Sequence, residues 1–182
     1  MNPSLAQKLN AIGAVILGAV LLGAYIFEFA LRELPCPLCL LQRWAFMGVA
    51  CGALLNLRFG IRPSHYGISL ISALLGAAIS TRQILLHITD PVGFGTPLWG
   101  VHLYSWAFVA FVTAIFLIGV MLLMERQFKN QGDAVPQKSP WYWLPFGFLA
   151  LLALGNTVST FLECGWMQCP YNPTRYLLLP LV

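Results

Sequence analysis

The chain has 182 residues, of which 59% are hydrophobic and 9% are charged, with a net charge of +4. A mean hydropathy of +0.77 excludes an ordinary water-soluble domain and predicts an integral membrane protein. The positive charges form no clustered basic tract, which argues against nucleic acid as a partner.

Five apolar runs are long enough to be membrane spans, since about 20 residues cross roughly 30 Å of hydrocarbon. They cover about residues 12–31, 40–57, 68–87, 103–124 and 143–162. The first is longer than the core of a signal peptide and no clear cleavage pattern follows it, so we expect it to be retained. We therefore predict an all-α membrane bundle in which residues 1–182 form a single membrane domain, with an external tail at 163–182. The one solvated, flexible loop is predicted between Glu125 and Pro140.

The positive-inside rule predicts the orientation of these spans. If the N-terminus is cytoplasmic, most of the basic residues fall on the cytoplasmic side: Lys8, Arg58, Arg62, Arg126, Lys129 and Lys138. Two close-spaced cysteine pairs then fall on the opposite face: Cys36 with Cys39, and Cys164 with Cys169. Paired cysteines of this kind are typical of an oxidising compartment, which agrees with this orientation.

The first pair lies in the short link between the first two runs, in the stretch Pro35-Cys36-Pro37-Leu38-Cys39. A C-x-x-C pair can cycle between dithiol and disulfide, because two intervening residues bring the sulfurs within bonding reach. Pro37 suits the first turn of the following helix, and the positive end of that helix favours a thiolate. We predict a redox site at the membrane surface; the alternative is an inert structural disulfide.

The short link keeps the two cysteines at the membrane surface, close to where the head group of a membrane quinone resides. Two further side chains at this level are predicted to contact such a quinone. Arg43 falls on the same helix face as the two cysteines, one turn deeper, and His87 ends the third span at their level. A guanidinium or an imidazole can hydrogen-bond a quinone carbonyl and stabilise its reduced form. The alternatives are an arginine that snorkels and a histidine that is merely interfacial. Glu28, an acid within the first span, is expected to face the bundle interior or a water path, and one interpretation gives it a proton-transfer or hydrogen-bonding role.

The second pair follows the fifth span, where four residues separate Cys164 from Cys169, enough for a small disulfide-closed loop. This pair is either redox-active or a static staple of the tail. A zinc ion held by all four cysteines is a third reading. Cys51, alone in the second span, is predicted to be a small buried hydrophobe, and His65 and His102 are assigned no functional role.

Together these residues resemble one known family, the disulfide bond formation protein B (DsbB) family: Cys36-Pro37-Leu38-Cys39 with Arg43, and Gln83 and His87 at the end of a later span. The resemblance covers about residues 10–125. It implies a bacterial inner-membrane enzyme with a four-helix core, a disulfide-generating thiol:quinone oxidoreductase. Such enzymes re-oxidise a periplasmic thioredoxin-like thiol oxidase (DsbA-type) and pass its electrons to ubiquinone or menaquinone. The resemblance makes Cys36 and Cys39 the quinone-coupled pair and puts Arg43 near the quinone.

The chain departs from this pattern in one respect. The family usually carries its partner-facing cysteine pair between the third and fourth spans, but residues 90–102 contain no cysteine. We therefore expect Cys164 and Cys169, beyond the added fifth span, to take electrons from the partner and pass them to Cys36 and Cys39. Cys39, the nearer to Arg43, is expected to react with the quinone. The alternative is a non-catalytic membrane subunit or assembly factor that keeps the bundle for docking.

Overall fold

The computed structural model describes residues 3–128, 143–170, 173 and 175–178. This part of the chain contains five α-helices, a short 3-10 helix at Glu125–Gln127 and no β-strand. The α-helices are α1 (Pro3–Ala30), α2 (Pro37–Phe59), α3 (Pro63–His87), α4 (Leu103–Leu123) and α5 (Leu144–Cys164). All five are long and apolar enough to cross a membrane, so the predicted all-α fold with five spans is confirmed.

Four of the five helices extend beyond their predicted apolar runs at one end or both, because a helix can continue past the apolar segment that hydropathy detects. α4 matches its predicted run within one residue. α1 begins at Pro3, before the run at residue 12, and α5 continues through Cys164 into the predicted tail. Prolines open α2 and α3, where the missing N–H would have no intrahelical partner. Most of the predicted loop after Glu125 lies outside the described residues, as do Lys129, Lys138 and tail residues 171, 172, 174 and 179–182.

α2 is the central helix of the bundle and packs against α1, α3 and α5, while α4 packs against α3. The rings of Phe46 and Phe111 stack with their centroids 4.1 Å apart in the core. Many outward-facing apolar side chains, such as Val15 and Phe116, are exposed, as expected where lipid replaces water around a bundle. α2 therefore connects most of the bundle, and the cysteine pair lies at the N-terminal end of this central helix.

A buried polar cluster ties the bundle together at the end opposite the cysteines. Asn10 of α1 donates to the hydroxyl of Tyr66 at 2.8 Å and accepts from Asn56 of α2 at 3.0 Å. The Tyr66 hydroxyl donates to Gln127 at 3.2 Å, and His65 lies 3.2 Å from Asn56. These partners satisfy polar groups that would be costly to bury alone. The cluster also gives His65 a structural role that the sequence analysis did not predict.

The close approach of α3 to α4 depends on Gly76. A Cβ atom at this position would lie 2.3 Å from the Phe111 ring, which is fully buried and stacked on Phe46. We expect Gly76→Ala to lower the free energy of unfolding by about 1–3 kcal/mol through overpacking. Gly119→Ala, where no atom lies within 4 Å of the new Cβ, should be neutral or slightly stabilising. Unfolding in mixed micelles measures both changes; equal effects would contradict the packing argument.

Candidate redox site

Cys36 and Cys39 lie at the start of α2, as the sequence predicted. Cys36 is the N-cap residue, and its sulfur accepts the backbone N–H of Cys39 at 3.2 Å. Both cysteines are free thiols in this structure. Because the first backbone N–H groups of a helix point toward its N-terminus, they favour negative charge on sulfurs placed there.

Gln83 of α3 contacts both sulfurs through its side-chain amide. Its Nε2 donates to the Cys36 sulfur at 3.1 Å and lies 3.4 Å from the Cys39 sulfur. Its Oε1 accepts from Nε2 of Gln42 at 2.9 Å, which fixes the orientation of the amide toward the sulfurs. Gln83 is almost completely buried, so this donor acts without competition from bulk water. An amide within an apolar span was the sequence signal for this role.

The two thiols of the reduced pair do not ionise independently. The hydrogen bond with Cys39 and burial raise the pKa of the Cys36 thiol. A second negative charge beside the first would be unfavourable in so buried a place. The reduced pair therefore carries at most one negative charge.

Arg43 and Glu28 form a buried ion pair next to the cysteines. The Arg43 guanidinium pairs with Glu28 Oε2, donates to the Ala24 carbonyl at 3.1 Å and lies over the Tyr25 ring at 4.9 Å. Both side chains of the ion pair are almost entirely excluded from solvent. Arg43 is thus held within the bundle rather than extended to the interface.

The other oxygen of Glu28 accepts hydrogen bonds from two hydroxyl groups in the C-terminal part of the chain. Ser159 of α5 and Tyr176 of the tail both donate to Glu28 Oε1, Tyr176 at 2.9 Å. Burial and the hydrogen bond to Glu28 raise the pKa of Tyr176, so its phenol keeps the proton that it donates. Glu28 therefore faces the bundle interior and takes part in hydrogen bonding, which was one of the roles considered for it.

A large cavity of about 970 Å³ opens beside Cys39. It lies between α1, α2, α4 and the loop at residues 92–99, and most of its wall is apolar. Four polar or sulfur-bearing residues of α2 and α3 meet at one side: Cys39, Gln42, Arg43 and Gln83. An apolar cavity with a few convergent polar groups is typical of a small-molecule site, and its volume is in the usual range.

A second, smaller cavity of about 300 Å³ opens beside Cys36. Cys169 of the tail disulfide also lines it, so this space lies between the two cysteine pairs. His87 lies in its wall, with Nδ1 3.4 Å from Asp90 and its ring stacked on Tyr104 at 5.6 Å. His87 thus does not line the large cavity, and its contact with a quinone stays a prediction.

Cys164 and Cys169 form a disulfide with their Cα atoms 4.5 Å apart, which closes the small loop predicted after the fifth span. The loop projects Trp166, which is 92% exposed, beyond the end of α5. Because two of the four cysteines are joined to each other, they do not offer a set of four thiolates to zinc. No group of three or more potential metal ligands occurs in the part of the chain that the structure describes.

The remaining candidates lie away from the reacting sulfurs. Cys51 is only partly buried and lies further along α2. His102 lies 3.1 Å from the Gly95 carbonyl and stacks on Tyr104, so it helps to shape the loop beside the large cavity. The sequence analysis also missed Glu163, which is fully buried at the end of α5. A carboxylate close to the end of an apolar span was the signal available for it.

A pair of cysteines at the end of a bundle of spanning helices is typical of a membrane oxidoreductase that acts on thiols and disulfides. Comparison with known proteins identifies the family. Residues 6–94 match the family described as "Disulfide bond formation protein DsbB". Disulfide bond formation protein B of Pseudomonas syringae pv. tomato is 32% identical over 152 residues, covering 62% of this chain and 89% of that protein. Disulfide bond formation protein B of Burkholderia pseudomallei is 24% identical over 157 residues, covering 66% of this chain and 91% of that protein. No solved structure matches.

The chain therefore belongs to the disulfide bond formation protein B family and is a multi-pass membrane oxidoreductase of disulfide formation. The family match includes Cys36, Cys39, Arg43 and Gln83, whose contacts form the site described above. It ends at residue 94, before α5 and the tail disulfide. α4, α5 and the tail disulfide therefore lie outside the family match.

The Glu28–Arg43 ion pair predicts a strong coupling between two helices. Glu28→Gln leaves the Arg43 charge buried without a counter-ion, so we expect the free energy of unfolding to fall by about 3–5 kcal/mol. Replacing both residues by Glu28→Gln and Arg43→Met should recover much of that loss, because no unpaired charge remains. A double-mutant cycle measured by unfolding in detergent tests this, and additive effects of the two changes would contradict it.

Proposed function

We propose that the protein is a thiol:quinone oxidoreductase that oxidises a thioredoxin-like (DsbA-type) dithiol partner and passes its electrons to ubiquinone or menaquinone. Electrons enter at Cys164–Cys169 and leave from Cys36–Cys39. The reaction balances, because oxidation of one dithiol to a disulfide releases the two electrons and two protons that reduce one quinone to a quinol. Membership of the disulfide bond formation family supports the reaction class.

The observation that carries this proposal is that the two sulfurs of one pair adjoin different cavities. Cys36 lines the small cavity together with Cys169, whereas Cys39 lines the large cavity together with Arg43. A relay needs such a division, because one sulfur must accept electrons from the tail while the other gives them to the quinone.

The exchange steps follow from this arrangement. The partner's thiolate attacks Cys164–Cys169, and the partner's second thiol completes its own disulfide and leaves the tail pair reduced. Cys169 then attacks Cys36 across the small cavity, and the bond from Cys36 to Cys39 breaks with its electron pair on Cys39. Cys164 attacks Cys169 in turn, which restores the tail disulfide and releases Cys36 as a thiol. The helix N-terminus and the Gln83 amide stabilise the charge on the departing Cys39 sulfur.

The large cavity suits a quinone in size and polarity. Its apolar walls would hold the ring and the start of the isoprenoid chain, and Gln42 and Arg43 are donors suited to a carbonyl oxygen. When bound, the quinone accepts two electrons and two protons. Arg43 would favour negative charge on that oxygen, and its pairing with Glu28 holds it in place for that role.

We propose the bacterial inner membrane as the location, with the N-terminus in the cytoplasm and both cysteine pairs on the periplasmic side. Six of the ten basic residues in the sequence fall in segments that this orientation makes cytoplasmic, which is the bias that the positive-inside rule predicts: Lys8, Arg58, Arg62, Arg126, Lys129 and Lys138. An oxidising compartment is also where disulfides such as Cys164–Cys169 persist.

Quinone absorbance, followed while a reduced thioredoxin-like dithiol protein is added to the purified protein in detergent, tests the proposal. We expect quinone reduction by the wild type and its loss in both Cys36→Ser and Cys164→Ser, because each variant breaks the relay at a different pair. Cys51→Ser, outside both pairs, is the matched control and should keep the wild-type rate. Loss only in Cys36→Ser would make the tail disulfide a structural staple. No turnover by the wild type with several dithiol partners would favour a docking subunit.

The relay further predicts which sulfurs meet. In the double variant Cys39→Ser, Cys164→Ser the remaining Cys36 and Cys169 should form a disulfide on mild oxidation, since both line the small cavity. The matched control is Cys36→Ser, Cys164→Ser, in which Cys39 replaces Cys36 as the potential partner of Cys169. Peptide mapping under non-reducing conditions should find the first cross-link in large excess over the second. Equal yields would contradict the proposed path.

A further inference from the structure

The disulfide-closed loop at the end of α5 presents two large apolar side chains to the outside. Trp166 and Met167 lie between Cys164 and Cys169, with exposed fractions of 92% and 79%. Tryptophan is enriched among the residues that dominate protein–protein binding, and methionine is common at surfaces that accept varied partners. The relay so far uses only the two sulfurs of this loop and leaves these side chains without a role.

The loop has a defined conformation on the end of the helix. Gly165, with a φ of 58° that favours glycine, turns the chain directly after α5. The backbone N–H of Met167 then donates to the Cys164 carbonyl at 3.2 Å. The Trp166 ring packs edge-on against Phe161, with the ring centroids 5.3 Å apart. A surface that is ordered before binding loses little conformational freedom when a partner docks.

The two cysteines of the loop differ in their access to the outside. Cys164 is the last residue of α5 and is 4% exposed, whereas Cys169, at the other end of the loop, is partly exposed. Cys36, the next cysteine along the proposed path, is 5% exposed. A thiolate has to reach the sulfur that it attacks, so access decides which sulfur reacts. Cys169 is thus the cysteine of the loop that a protein-sized nucleophile can reach.

We propose that the tail loop is the docking surface for the dithiol partner, with Trp166 and Met167 as its apolar contacts and Cys169 as the sulfur attacked. The two side chains flank the reacting disulfide, so the occupant of this surface is the molecule that carries the attacking thiolate. It is a dithiol protein with an apolar surface around its reactive thiolate. The inference rests on the proposed function in taking the tail disulfide as the point where electrons enter.

This assignment fixes the order of the exchange steps. The partner's sulfur bonds to Cys169, and the bond from Cys169 to Cys164 breaks with its electron pair on Cys164, which takes a proton from solvent. Cys169 also lines the small cavity with Cys36 and attacks it later in the relay. One sulfur cannot be joined to the partner and to Cys36 at once. The partner's second thiol therefore loses its proton to solvent, displaces Cys169 and leaves before the tail attacks Cys36.

A partner with a single thiol tests which sulfur is attacked. The oxidised full-length protein is mixed, without quinone, with a thioredoxin-like protein whose second cysteine is replaced by serine, and N-ethylmaleimide then stops the exchange. Peptide mapping should find the partner on Cys169 and the maleimide on Cys164, with Cys36 and Cys39 unmodified. The partner on Cys164 would overturn this inference and leave the proposed function standing. The partner on Cys36 or Cys39 would contradict both.

The docking contacts predict a difference between a protein partner and a small thiol. At partner concentrations below saturation, we expect Trp166→Ala to slow reduction of the tail disulfide by the thioredoxin-like dithiol about 10-fold, and Trp166→Phe to recover part of the rate. Dithiothreitol, which needs no docking surface, should act at the wild-type rate on both variants. Ile88→Ala, an exposed apolar residue that lines neither cavity, is the matched control and should be neutral.

The outcomes separate docking from other roles of the tryptophan. Equal slowing with both reductants, or no slowing with the protein partner, would overturn the docking role and make Trp166 a structural or lipid-facing residue. A wild type that forms the Cys169 adduct but reduces no quinone would contradict the proposed function and leave this inference standing.

Discussion

The Glu28–Arg43 ion pair is the constraint on which the arrangement of the site depends. An unpaired charge within a membrane bundle is costly, so each partner has to be fully compensated where it lies. Arg43 is compensated by Glu28 and the Ala24 carbonyl, and the second oxygen of Glu28 by Ser159 and Tyr176. One electrostatic requirement thus joins α1, α2, α5 and the tail, and it fixes the Arg43 charge beside the large cavity.

The start of α2 explains how two adjacent sulfurs acquire different surroundings. Cys36 is outside the helix as its N-cap, whereas Cys39 is in the first turn, so their side chains leave the backbone in different directions. Gln83 bridges the two from α3, which keeps both sulfurs in one hydrogen-bonded group. The short link before α2 holds this group at the end of the bundle, where Cys169 of the tail disulfide lines the same small cavity as Cys36.

Features that depend on local sequence could be predicted, and features that depend on distant contacts could not. Hydropathy was sufficient to predict the five spans, and the proline between the two cysteines was sufficient to predict the start of α2. The sequence also indicated that Glu28 faces inward, but not its partners, because Ser159 and Tyr176 are 131 and 148 residues away along the chain. The placement of His87 beside the small cavity likewise depends on how α3 meets the tail, which no local pattern encodes.

The fifth helix is more than an added anchor, because three of its polar residues lie on one buried face. Asn156, Ser159 and Glu163 are spaced by three and four residues and are all buried. Asn156 donates to the Leu40 carbonyl of α2 at 3.3 Å, and Ser159 donates to Glu28 of α1. In lipid the hydrophobic effect does not drive helices together, because lipid tails are as apolar as the side chains. Polar contacts of this kind therefore help to determine how a helix docks. The docking of α5 through this face thus also holds the tail disulfide beside the cysteine site, where Cys169 and Cys36 line the same cavity.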